Sequence, residues 1–356
     1  MSFELILPFL RPIEPLLLDD SISEIMGNPD ASWWYERDGI MRREESISFD
    51  ADKLRTGLEV IANQLGKKLD EDNPVLHAQL PDGSRLAAVI PPVVRPSPAL
   101  TIRKFTSRHY TVDDLISRGT LGRPLADFLA AQIQGGKTLL ISGGTGTGKT
   151  TLLRILADFI PEQDRIVVIE DTSELHIQKP NILAVECQTD TFKANISFDD
   201  LLKSALRWRP DRIILGEVRG IEARTLLDSF NTGHAGSLAT IHANSAEKAL
   251  RRFANLVMRN HAQTTFSDTE AEIGEAVDLV VHVERQPGRR ILREVLALRG
   301  YDRDAKRFLI EPVFEVQHAT ASARSAAPIA TDSLTNSALK DSLIPLPIKE
   351  NPHATA

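Results

Sequence analysis

Residues 143–150 read Gly-Gly-Thr-Gly-Thr-Gly-Lys-Thr. The octet follows an apolar run, Thr138 to Ser142, and opens a segment of helical apolar spacing, Thr151 to Phe159. A glycine-rich turn between a strand and a helix is the context in which such an octet cradles phosphate. Glycines let backbone amides approach phosphate oxygens with no side chain in the way, and the helix N-terminus adds positive potential. Gly143, Gly144, Thr145, Gly146, Thr147 and Gly148 are expected to line the phosphates of bound ATP, with Thr151 in the first helical turn. Lys149 is expected to reach the β and γ phosphates, and the Thr150 hydroxyl to bind Mg²⁺.

The same pattern fixes the fold class. Arg165 to Ile169, Arg212 to Leu215, Ser237 to Ile241 and Leu279 to Val283 are further near-continuous apolar runs, as parallel strands buried on both faces require. Helix-like segments separate them: Asp199 to Arg207, Ile221 to Phe230 and Ala246 to Met258. The expectation is an α/β sheet flanked by helices over residues 108–317. Arg290 to Leu298 and Arg307 to Val316 read as a terminal antiparallel hairpin.

A smaller α/β domain is expected over residues 1–94. Within it Ser32 to Glu36 and Ser46 to Phe49 have strand character, and Lys53 to Leu65 carries apolar residues at helical spacing. Leu80 to Arg85 reads as a turn between short strands. Trp33 and Trp34 are expected to pack in the core and at its rim rather than form a partner patch. Four prolines between Pro91 and Pro98 favour a stiff extended connection, which puts a linker at residues 95–107. Residues 318–356, rich in Ala, Ser, Thr and Pro without a period, are expected to be a disordered tail.

Composition narrows the function classes. A formal net charge of −7 disfavours a broad grip on a nucleic-acid backbone, so no stable nucleic-acid binding is expected. The single cysteine, Cys187, excludes a disulfide framework or a Cys-based zinc site and is read as a small, half-buried apolar group. No apolar run reaches the length of a membrane span, and the proline-broken start lacks a signal-peptide pattern; a cytoplasmic location is expected.

Two acids follow apolar strands. Catalytic groups gather beyond the carboxyl ends of strands in such sheets. Glu170, after Ile166–Ile169, is the candidate to orient attacking water, with Asp171 in a supporting place. Glu217, after Arg212–Leu215, fits a carboxylate that holds Mg²⁺, where most phosphate-binding-loop ATPases carry Asp. Arg219 faces either a phosphate or a surface ion pair. His234 and His242 flank one apolar strand, too far apart for a shared metal. His242, at the carboxyl end, is the candidate phosphate sensor.

The order of these motifs resembles the type II/type IV secretion ATPase superfamily: the glycine-rich octet, the acidic box Ile169 to Leu175, Gly-Glu-Val-Arg-Gly at 216–220, Thr-Gly-His at 232–234 and Ala-Thr-Ile-His-Ala-Asn at 239–244. Asn73-Pro74, Leu80 to Arg85, Pro91 to Val94, Thr101 to Lys104 and Leu206 to Asp211 bring it nearest to conjugal-transfer ATPases of the TrbB type. The resemblance covers residues 15–315. It implies a RecA-like P-loop domain with a smaller N-terminal domain, a homo-hexameric ring and Mg²⁺-dependent ATP hydrolysis. It also implies work at the cytoplasmic face of the inner membrane, held there by components of the secretion or pilus machinery. Lys149, Thr150, Glu170, Glu217 and His242 carry over by motif position. Arg103, Arg207 and Arg219 are the candidates to complete the site at the γ-phosphate. A type IV pilus or type II secretion motor, or a nucleic-acid-dependent motor, are the competing readings.

Overall fold

The computed structural model describes residue 4 and residues 6–37, 39–105, 110–188, 195–259, 264–286 and 288–316; the expected tail lies outside them. The chain divides into two compact units, one of Met1–Tyr110 with the short stretches Thr172–Glu174 and Gln286–Arg289, and one of the other residues from Thr111 onward.

The first unit is a six-stranded antiparallel sheet with helices packed on it. Its strands are β1 (Ile22–Gly27), β2 (Trp33–Arg37), β3 (Ile40–Glu44), β4 (Val75–Gln79), β5 (Arg85–Val89) and β6 (Ala99–Arg103), in the order β3-β2-β1-β6-β5-β4. The helices are α1 (Glu14–Leu18) and α2 (Ala51–Gln64). Asp50 caps α2 by accepting the Asp52 and Lys53 amides at 3.0 Å each, and Leu54, Leu58 and Ile61 form its buried stripe. The proline-broken start is part of this core: Ile6, Leu10 and Ile13 are fully buried or nearly so. Trp33 is buried while Trp34, one residue on, faces the other side of the sheet at half burial. Trp33 fits because Gly27 has no Cβ; an added one would come within 2.6 Å of the indole.

Two expectations need correction here. Residues 99–103 are not linker but β6, paired on both sides by β1 and β5. The strand beside Trp33 is Ile40–Glu44, whereas residues 46–49 make no ladder. Phe49 is apolar because its ring stacks on Trp33 at 5.1 Å, not because it pairs.

The second unit begins with α3 (Val112–Ser117) and α4 (Arg123–Gln134). It then alternates β7 (Leu139–Gly143), α5 (Lys149–Ala157), β8 (Ile166–Glu170), β9 (Ile182–Glu186), α6 (Phe198–Ala205), β10 (Arg212–Val218), α7 (Glu222–Asn231) and β11 (Leu238–His242). Helices α8 (Ala246–Met258) and α9 (Phe266–Ala276) precede β12 (Leu279–Gln286), β13 (Arg289–Asp302) and β14 (Arg307–Glu315). The eight strands form one sheet in the order β14-β13-β12-β7-β11-β10-β8-β9. The six from β12 to β9 are parallel, and β13 and β14 pair antiparallel. Every residue of β7 and β8 is buried, which explains their unbroken apolar sequence. Leu202, Leu226, Leu250, Phe253 and Ile273 from α6 to α9 join one core cluster with strand residues Val167, Ile213 and Ala239.

Cys187 follows β9, half-buried against that core. Burial, and then the neighbouring Asp171 carboxylate, push its thiol up to about 11. Among the described residues no helix is long and apolar enough to cross a membrane.

Candidate active site

The parallel strands end together, and four neighbours in the sheet (β7, β11, β10 and β8) each deliver one functional group at their carboxyl ends. After β7 the chain turns through the glycine-rich loop into α5. Gly146 and Gly148 take φ of +69° and +90°, a region that other residues enter only at a cost. A Cβ on Gly143 would lie 2.5 Å from the Val283 carbonyl oxygen and 2.6 Å from Thr147 Oγ1. Gly143 thus has no room for a side chain, and the loop keeps the bare glycine backbone that a phosphate cradle requires.

Lys149, buried at 7% exposure, opens α5. Its Nζ donates to the Gly144 carbonyl at 2.8 Å and lies 3.4 Å from His242 Nδ1. His242 ends β11, where it is paired in register with Gly143. Its Nε2 is 3.3 Å from Glu217 Oε1 on β10. Lysine, imidazole and carboxylate thus form a contact chain across three adjacent strand ends. Burial first, and then the Lys149 charge, hold the His242 pKa below its ordinary value despite Glu217. The imidazole is neutral near pH 7, able to accept at one nitrogen and donate at the other.

Glu170 ends β8 and is 4% exposed. Its Oε1 accepts the Leu175 amide at 3.0 Å. Gly216 gives it space: a Cβ there would stand 3.4 Å from Glu170 Cγ. Thr240 Oγ1 donates to the Gly216 carbonyl, tying β11 to β10 beside Glu217. Thr150 and Thr151 lie half-buried in the first turn of α5. The Thr150 hydroxyl and the Glu217 carboxylate are hard oxygen donors of the kind Mg²⁺ takes, and Mg²⁺ usually draws its remaining ligands from substrate phosphates and water. The donor chemistry therefore fits the expected ion.

The three arginines are placed differently. Arg219 pairs with Asp171 at 2.9 Å and lies over the Phe198 ring at 5.2 Å. Its backbone amide and that of Gly220 donate to Glu222 Oε1. Arg207 is exposed just after α6, which leads to the start of β10. It therefore stands at the edge of the sheet opposite the cradle. Arg103 is exposed at the end of β6 in the first unit. His234 hydrogen-bonds to the Ser229 carbonyl at 3.3 Å before β11 begins, so the two histidines of that segment occupy opposite edges.

Sequence reasoning did not single out the other flank of the cradle. On β12, His282 Nδ1 is 2.8 Å from Ser142 Oγ, immediately before the loop. Arg290 Nε donates to the Gly146 carbonyl at 3.2 Å. A Cβ on Gly146 would lie 3.2 Å from Arg285 Nη1, and one on Gly148 3.1 Å from Arg290 Cδ. No motif marks these residues, which lie well over a hundred positions downstream of the loop.

This sheet, with a phosphate cradle after its central strand and carboxylates after the neighbouring ones, defines a P-loop ATPase. The model of the Type II/IV secretion system protein family matches residues 10–300. The conjugal transfer protein TrbB of Rhizobium radiobacter is 38% identical over 80% of this chain and 86% of its own. The type IV secretion system protein PtlH of Bordetella pertussis is 34% identical over 81% and 92%. In fold the chain is similar to the ATPase DotB of Legionella pneumophila, at a TM-score of 0.57 and 20% identity, covering 82% of this chain and 80% of that one. The chain belongs to the Type II/IV secretion system protein family.

Proposed function

We propose that this chain is the traffic ATPase of a conjugal-transfer type IV secretion machine, working as a homo-hexamer. It would stand at the cytoplasmic face of the inner membrane through contacts with the machinery's own components. The likeness to TrbB supports the choice of machine. The observation that carries the catalytic reading is the Lys149–His242–Glu217 chain at the strand ends.

In this reading the amides of residues 143–150 and the Lys149 ammonium bind the ATP phosphates, and Lys149 leaves the Gly144 carbonyl for them. Thr150 and Glu217 would hold Mg²⁺, which when bound offsets charge building on the β and γ phosphates. Glu170 orients the water for in-line attack, its buried position keeping the carboxylate fixed. His242, touching both Lys149 and Glu217, reports the presence of the γ-phosphate to the strand ends. Arg103, Arg207 and Arg219 remain the cations that complete the site. Arg207 would do so in a neighbouring copy, because it sits at the far edge of its own sheet. Replacing Lys149 by Ala is expected to lower phosphate release roughly 100-fold or more. Turnover like that of the unaltered protein would overturn the reading.

A further inference from the structure

The phosphate cradle has two flanks. On one side of β7 lies β11, with His242 and, beyond it, Glu217. On the other lies β12, which runs on through the turn at Gly288 into β13. This second flank is cationic. Arg285, near the end of β12, and Arg290, near the start of β13, are both exposed, and both come to the glycines of the loop. Arg285 Nη1 would be 3.2 Å from a Cβ at Gly146, and Arg290 Cδ 3.1 Å from one at Gly148. The Arg290 Nε hydrogen bond to the Gly146 carbonyl holds the guanidinium at the rim of the cradle.

From this geometry we infer that Arg290, assisted by Arg285, is a nucleotide-binding residue supplied by the same chain, reading the α and β phosphates of ATP and ADP from the β12 side. A guanidinium has five N–H donors in a fork that matches phosphate oxygens; with Nε on Gly146, four more sit on the two Nη nitrogens. His242 and Glu217, read as serving the γ-phosphate and its metal, lie on β11 and β10, so a cation on the β12 flank would meet the part of the nucleotide that ATP and ADP share. Finally, Gly146 and Gly148 are the residues whose missing side chains let the two arginines approach. A larger residue at either position would push the guanidinium off the rim as well as strain the loop.

This inference rests on the reading of residues 143–150 as a nucleotide site, and its test separates the two. Affinity for ADP and for ATP is measured by titration with a fluorescent nucleotide, using the full chain, Arg290→Ala, Arg290→Lys and Lys149→Ala. Melting temperature without nucleotide serves as the folding control. Arg290→Ala is expected to weaken ADP and ATP alike by about tenfold, the size of one charge-assisted hydrogen bond. KM for ATP should rise by a similar factor, and Arg290→Lys should recover part of the loss. If the unaltered protein binds ADP but Arg290→Ala binds it within twofold of that affinity, the inference fails alone. It fails equally if the variant weakens ATP only, or lowers kcat with KM unchanged, since either result assigns Arg290 to the γ-phosphate. If the unaltered protein binds neither nucleotide, the underlying reading fails first. Should Arg290→Ala melt early, Arg285→Ala carries the same comparison.

Discussion

His282 lies on β12, on the far side of β7 from the proposed phosphate sensor His242 on β11, and has a different task. It is 5% exposed, and its Nδ1 meets Ser142 Oγ just before the phosphate loop. Burial holds its pKa below the ordinary value; the Glu294 and Glu284 carboxylates oppose that, and the Arg293 and Lys149 charges add to it. The folded chain thus binds fewer protons here than the unfolded chain, whose histidine titrates near 6.5. Stability from this group is full above about pH 6.5 and declines as pH falls toward the folded pKa, by at most about 1.4 kcal/mol per pH unit. Urea midpoints at pH 7.5 and pH 5.5 check this. His282→Asn should show a smaller drop than the unaltered chain; an equal drop would refute the assignment. His242 is shifted in the same direction, so the variant keeps part of the dependence.

At the level of elements, a nearly buried arginine helps hold the strands at their starting edge. Arg212 begins β10 with its side chain nearly buried. Its Nε pairs with Asp164 at 2.7 Å and its Nη1 donates to the Ala235 carbonyl. The turns before β7 and β11 close around it through Gly136 and Gly236, with φ of +75° and +81°. A Cβ on Gly236 would fall 1.3 Å from Arg212 Nη1. Gly236→Ala is therefore expected to expel the guanidinium from its pair and cost about 3–5 kcal/mol, the range for a broken buried ion pair. Chemical denaturation measures it, and a loss under about 1 kcal/mol would contradict the account. Sequence alone made the parallel strands legible, because burial on both faces leaves a continuous apolar run. It missed β6, where only Leu100 and Ile102 point inward over five residues and the preceding prolines dominate the pattern. It singled out Lys149 from the glycine-rich octet, and Glu170, Glu217 and His242 from their places at the ends of apolar runs, and the fold sets these strand ends side by side. It could not find Arg285 and Arg290, whose place depends on which strand lies beside β7.

The molecule as a whole raises the matter of assembly. Arg207 lies at the edge of the second unit opposite its own phosphate loop, and a ring of copies is one way to carry such a cation to a neighbouring site. Light scattering with and without ATP should show a particle near six times the 39.4 kDa chain mass. A monomer at every concentration and in both conditions would remove the ring from the proposal.

The lone thiol also has a use at the bench. With a pKa of about 11, Cys187 is almost wholly protonated at neutral pH, and the thiolate is the species that attacks alkylating dyes. Maleimide chemistry should largely pass it by. Reporter cysteines at exposed positions of the two units, such as Asp72 and Glu247, can then be labelled in the natural background, and the distance between the units followed through a nucleotide cycle without first rebuilding the core around residue 187.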